Sequence, residues 1–161
     1  MFEIVAFDAD DTLWNNETYY MQARDHFGSI CADYVDPQEA VRRLETNEIA
    51  NLPLFGYGIK SFALSMIETA VGVSERRISA EKIDEILSIA RKMLQTGIEP
   101  LEGVEETLAI LSHRYRLMLI TKGDPSEQGS KINRSGLAKY FNHIEITSEK
   151  SIETYRVILG K

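Results

Sequence analysis

Asp8, Asp10 and Asp11 stand near the start of the chain, directly behind the apolar run Ile4-Val5-Ala6-Phe7 and ahead of Thr12-Leu13. The run has no polar alternation, which predicts a central parallel strand buried on both faces. Asp8 then sits at the carboxyl end of that strand, where open α/β sheets place their ligands. Carboxylates crowded into such a turn repel one another and lose solvation. A bound cation that prefers oxygen ligands, such as Mg²⁺, relieves that cost. The blander alternative is a structural turn, because Asp and Thr are ordinary turn and helix-cap residues. A calcium loop is disfavoured, because Leu13 stands where its sharp turn needs glycine.

The elements that must position this turn can be read from periodicity. A helical stretch follows it, with Tyr20, Ala23, Phe27, Ile30, Cys31 and Tyr34 on one face. Asp36-Pro37-Gln38-Glu39 is a helix start, with an N-cap, a proline in the first turn and an acid three residues after the cap. That helix is expected to end before Pro53. Ile59, Phe62, Ala63, Met66, Ile67 and Ala70 form a third stripe. Ser79 caps a fourth helix, with the stripe Ile83, Ile86, Leu87, Ala90, Met93 and Leu94 and a terminator at Gly97. Four amphipathic helices with no intervening strand predict a small bundle.

The pattern changes at Glu99-Pro100-Leu101-Glu102-Gly103, a turn-rich hinge. A helix carrying Val104, Leu108 and Leu111 follows. Leu117 to Ile120 is a second unbroken apolar run, ending at Thr121. Asp124-Pro125-Ser126-Glu127 starts another helix, which should stop near Gly136. His143 to Thr147 alternates like a half-buried strand, and Ser151 to Leu159 predicts a last short helix. Strand–helix units therefore flank an all-helical insert, an α/β plan.

Composition narrows the function. The 161 residues suffice for one ordinary domain or for a core with a small lobe, and the hydrophobic (43%) and charged (27%) fractions are those of a soluble globular protein. The formal charge of −7 argues against nucleic acid or an anionic membrane as the main partner. No apolar stretch is long enough to span a membrane. Cys31 is the single cysteine, which excludes an intrachain disulfide and a cysteine metal cluster. Glu3 and the first strand follow Met1 at once, so no basic signal-peptide start is expected, and a cytoplasmic setting is.

Phe7-Asp8-Ala9-Asp10-Asp11-Thr12-Leu13-Trp14, after its apolar strand, resembles the first motif of the haloacid dehalogenase (HAD) superfamily, Asp-x-Asp-x-Thr. The resemblance implies that Asp8 is a nucleophile that attacks phosphorus. It implies that Asp10 is the general acid/base, with its backbone carbonyl on Mg²⁺, so that Asp8 and Asp10 are the metal residues. Aspartate at the second position marks the family's phosphatases; its dehalogenases lack it. The implied architecture is a Rossmann-like parallel-sheet core, residues 1–14 and 98–161, with a helical cap inserted over 15–97.

Phosphoryl transfer needs positive charge and hydrogen-bond donors around the transferring oxygens. Leu119-Ile120-Thr121 resembles the family's second motif, in which Thr121 gives its hydroxyl to the phosphate; a strand-end threonine is otherwise ordinary. Lys150, just after the third strand, is the first candidate for the third-motif lysine that neutralises Asp8 and the phosphate. Lys122 competes, as a pocket-lining or substrate-facing residue. Asp124 is read as an N-cap before Pro125 rather than a metal ligand. Trp14, Asn15, Asn16 and Glu17 fall at the core–cap junction, where they contact substrate or simply pack and cap the first cap helix. His26, His113 and His143 show no ligand spacing.

The family's fourth motif, further aspartates from a fourth strand that complete the Mg²⁺ site, has no counterpart after Lys150. The core is thus expected to lack its last strands. That leaves the first strand as an edge open to self-association. Three explanations stand: a truncated form of a longer enzyme, a strand supplied by another copy, or a degenerate member that binds without turnover. The expected function is Mg²⁺-dependent hydrolysis of a small phosphomonoester through an aspartyl-phosphate. A non-catalytic binding or assembly module is the alternative.

Overall fold

The computed structural model describes residues 3–160. The chain divides into two compact units: Thr18–Thr96, and the segments on either side of it.

The flanking segments build a parallel sheet of β1 (Ile4–Phe7), β2 (Arg116–Lys122) and β3 (His143–Thr147), in the order β1-β2-β3. Phe7 is in register with Leu119, and Thr121 with Ile146. β2 has a neighbour on each side, and its side chains alternate between two apolar layers. Leu117 and Leu119 pack with Ala9, Leu13, Trp14, Leu108, Ile132 and Leu137. Met118 and Ile120 pack with Ile158. An unbroken apolar run is what a strand covered on both faces requires, and for β2 the expectation holds.

For β1 it does not. Among the described residues β1 pairs on one side only, and Ile4 is 50% exposed. Hydrophobic sequence records that a strand is to be covered, not which segment covers it. β3 also departs from expectation. Its residues do not alternate in burial: His143 and Ile144 are exposed, and the rest are half-buried.

α5 (Val104–Ser112) and α6 (Pro125–Arg134) precede and follow β2, and a short 3₁₀ helix (Leu137–Tyr140) leads into β3. α7 (Ile152–Leu159) follows β3, capped by Ser151, whose hydroxyl accepts from Thr154 N at 3.1 Å. The 3₁₀ segment was not expected from sequence. Gly136, the expected stop of α6, is its N-cap.

The other unit is all-helical. α1 (Glu17–Cys31), α2 (Pro37–Phe55), α3 (Ile59–Val73) and α4 (Ala80–Gln95) close around Phe27, Leu44, Met66, Ala70 and Ile86. Asp36 and Ser79 cap α2 and α4 as expected, accepting from Gln38 N and Lys82 N. Two expectations need correction. Tyr34 lies beyond the end of α1. α2 runs through Pro53 to Phe55. Proline removes one N–H and crowds the carbonyl four residues back. With the helix end only two residues away the damage is confined to the last turn, which Gly56 N closes on Leu52 O at 3.0 Å. Among the described residues no helix is long and apolar enough to cross a membrane.

Candidate functional site

The acidic turn is shaped by its own backbone. Leu13 N and Thr12 N donate to Ala9 O at 2.8 and 3.2 Å, and Asp11 N donates to Trp14 O at 2.8 Å. Leu101 N then donates to Leu13 O at 2.8 Å, and Trp14 bridges to Pro100. The turn and the segment ahead of α5 are thus stitched together within the same unit. Asp11 adopts a left-handed conformation (φ 56°), which aspartate tolerates better than most residues. Its Oδ1 accepts from Asn16 N at 2.8 Å and Glu17 N at 3.0 Å, at the start of α1. Asp124 accepts from Glu127 N at 2.9 Å and caps α6. Both carboxylates therefore serve helix starts, as the N-cap reading of Asp124 expects.

Asp8 follows β1 directly, and about half of its side chain is exposed. Its Oδ1 accepts from Ala9 N at 2.8 Å and pairs with Lys150 Nζ at 2.5 Å. Lys150 comes from the loop after β3, and only 24% of its side chain is exposed. Of the two candidate lysines, Lys150 is the one on Asp8. Lys122 ends β2, and its carbonyl oxygen accepts from Gln128 Nε2 at 3.3 Å.

Asp10 is enclosed by donors. Trp14 Nε1 donates to its Oδ1 at 2.8 Å, and Gln128 Nε2 to its Oδ2 at 3.1 Å. Lys131 Nζ lies 3.2 and 3.3 Å from the two oxygens. Lys131 also donates to Asn16 Oδ1 at 2.7 Å and pairs with Glu127 at 3.4 Å. Thr121, fully buried at the end of β2, accepts from Gln128 Nε2 at 2.6 Å. Parallel pairing of β1 and β2 brings the two strand ends together, and α6, which starts right after β2, turns Gln128 and Lys131 onto Asp10.

Gln128 and Lys131 escaped sequence reading. Polar residues three and four apart on a helix usually mark its solvated face. The available signal was position: α6 leaves the carboxyl end of β2, so its first turns pass the site. The bond from Trp14 to Asp10 goes beyond the junction role that the sequence suggests for Trp14.

Asp8 and Asp10 differ in what they can hold. Among the described residues no donor reaches Asp8 Oδ2, and no three His, Cys, Asp or Glu side chains converge as a metal site. Mg²⁺ typically keeps several waters and takes one or two carboxylates plus substrate phosphate. By donor type, the Asp8 carboxylate and the Asp10 backbone carbonyl fit such an ion. The Asp10 carboxylate, surrounded by donors, fits proton transfer better than ligation.

A family model described as haloacid dehalogenase-like hydrolase matches residues 2–155. Among solved structures, the chain is similar to a haloacid dehalogenase-like family hydrolase from Xanthomonas campestris, at 44% identity and TM-score 0.93, over 99% of this chain and 67% of that one. A candidate β-phosphoglucomutase from Thermotoga maritima is similar at 20% identity and TM-score 0.62, over 99% and 70%. The candidate HAD hydrolase YfnB from Bacillus subtilis, bound to magnesium, is similar at 14% identity and TM-score 0.56, over 90% and 63%. The last two likenesses speak for the fold alone. The chain spans about two thirds of the length of these structures. No curated protein matches it.

Proposed function

The chain belongs to the haloacid dehalogenase-like hydrolases, and from that premise we propose that it serves Mg²⁺-dependent hydrolysis of a small phosphomonoester through an aspartyl-phosphate. The observation that carries the reading is the division of labour between two aspartates on one turn. Asp8 is half-exposed and paired with a single lysine, whereas Asp10 is held by three donors. A nucleophile has to reach its substrate, and a general acid/base has to be held in place.

In this mechanism an Asp8 oxygen attacks phosphorus while Asp10 gives a proton to the leaving oxygen. Asp10 then takes a proton from the water that cleaves the aspartyl-phosphate. Lys150 offsets the charge of Asp8 and the phosphoryl oxygens, and Thr121 donates to one of those oxygens. Mg²⁺, when bound, shields the nucleophile from the phosphate's negative charge. The helical unit acts as a cap that excludes bulk water and selects the substrate. Aspartate at position 10 favours phosphatase over dehalogenase chemistry. The same reading includes a cytoplasmic setting, no nucleic-acid or membrane partner, and self-association through the β1 edge.

A second reading, a binding or assembly module without turnover, draws on the sparse set of metal-binding side chains. Turnover of p-nitrophenyl phosphate with and without Mg²⁺ decides between them. Mg²⁺-dependent turnover that Asp8→Asn abolishes, with the fold kept by circular dichroism, supports the phosphatase. Equal turnover by wild type and Asp8→Asn refutes it. Phosphate binding without any turnover favours the second reading.

A further inference from the structure

We propose that Gln128 is the positioning residue of this site. Its amide donates at once to Thr121 and Asp10, so that the Thr121 hydroxyl keeps its own proton for a phosphoryl oxygen. The inference rests on the phosphatase reading and deepens it.

The polarity follows from the surroundings of Gln128, which is 2% exposed. Nε2 faces Thr121 Oγ1 at 2.6 Å, Asp10 Oδ2 at 3.1 Å and Lys122 O at 3.3 Å. A carboxylate and a backbone carbonyl only accept hydrogen bonds. The opposite orientation of the amide would aim Oε1 at both of them. Nε2 must therefore be the inward atom, although Oε1 is then buried without a hydrogen-bond partner among the described residues. A hydroxyl has one proton and can accept as well as donate. Thr121 accepts from Gln128, so its proton is left for another acceptor, and no other bond of the Thr121 hydroxyl is made among the described residues. A threonine without this donor could turn its proton to another acceptor and offer a phosphate only lone pairs.

The backbone makes room for this arrangement. Gly123 has φ 155°, and a Cβ there would lie 2.9 Å from Gln128 Cγ and 3.2 Å from its Cδ. Only glycine at position 123 leaves the Gln128 side chain where it is. α6 supplies the rest, because Asp124 and Pro125 start the helix directly after Gly123 and fix the direction in which Gln128 leaves it.

The test is a double-mutant cycle of Gln128→Glu and Thr121→Val, with Gln128→Met beside it. Glutamate keeps the size but replaces the donor with an acceptor, and methionine removes polarity altogether. Three readouts are taken: inorganic phosphate binding by calorimetry, kcat and KM for p-nitrophenyl phosphate, and the Gln128 side-chain amide resonances. Gln128→Glu is expected to lower kcat by at least about tenfold, short of the about 10²–10³ that losing an oxyanion donor itself costs, with circular dichroism unchanged. In the Thr121→Val background the same change should add less than about threefold, since coupled residues are not additive. Thr121→Val should also move a Gln128 amide proton resonance, with or without ligand. Additive losses, or Gln128→Glu within about twofold of wild type, overturn the proposal. If the wild type neither binds phosphate nor turns over, the phosphatase reading fails and the resonance alone decides. A Gln128 amide unmoved by Thr121→Val then overturns the proposal.

Discussion

Lys131→Met tests how the Asp10 carboxylate is held. Lys131 keeps 9% of its side chain exposed and faces two carboxylates, Asp10 at 3.2 Å and Glu127 at 3.4 Å. Glu127 is 6% exposed and Asp10 24%. Methionine fills the volume of the lysine stem but removes the charge, leaving two negative groups with less compensation. Removing one partner of a buried pair costs about 3–5 kcal/mol. Water around Asp10 screens part of that, so the lower end, about 3 kcal/mol, is expected. At roughly 2–4 °C per kcal/mol for a chain of this size, Tm should fall by about 6–12 °C. The control is Lys139→Met. Lys139 pairs with Glu105 at 2.9 Å, but both side chains are more than half exposed, and its loss should be small. Glu127→Gln in the Lys131→Met background should recover part of the stability, because it removes one of the two carboxylate charges that Lys131 faces. Thermal melts of the variants decide. Equal effects of Lys131→Met and Lys139→Met would refute the idea that burial makes the Asp10 pair count.

Two further outcomes follow from local features. Burial pushes the Cys31 thiol up to about 11, against an ordinary 9.0, with the Lys82 charge opposing in part. The native thiol should therefore resist iodoacetamide at pH 8 and react only on unfolding. Between pH 9 and 11 the folded chain holds a proton that the unfolded chain releases, so this contribution is complete below about 9 and lost as pH rises through about 11. Tm should fall with pH across that window, and Cys31→Ala should flatten the fall. Asp124→Ala removes the cap of α6, and chemical denaturation should show a loss of about 1 kcal/mol.

Much of the molecule was legible in the chain because local rules and tertiary contacts agree. Asp36, Ser79 and Asp124 cap the helices that they announce, and Phe27, Met66 and Ile86 lie in the helical core that their spacing predicts. β2 reads as a strand covered on both faces and is one. The failures have physical causes. Pro53 breaks a helix interior, but it sits two residues from the end of α2, where its cost is small. The apolarity of Ile4 to Phe7 is silent on which segment provides cover. At the site, Asp8, Asp10, Thr121 and Lys150 lie at or just beyond strand ends and fall on the motifs of the resembled family, which is what singles them out. Gln128 and Lys131 do not. Their part depends on the rotation of α6 about its axis relative to β1, a long-range consequence of sheet pairing. The bond from Trp14 to Asp10 is short-range, yet it depends on the turn folding back at Ala9.

The central claim is that Asp8 carries the phosphoryl group, and chemical trapping tests it most directly. The chain is mixed with p-nitrophenyl phosphate and Mg²⁺, quenched, reduced with borohydride and digested, and the peptides are sequenced by mass spectrometry. Borohydride reduces an aspartyl-phosphate but leaves a free carboxylate alone, so the modified residue marks the nucleophile. The account predicts modification at Asp8, absent from Asp8→Asn and without a counterpart at Asp10, Asp11 or Asp124. Modification at another residue, or turnover with no trapped aspartate at all, would contradict it.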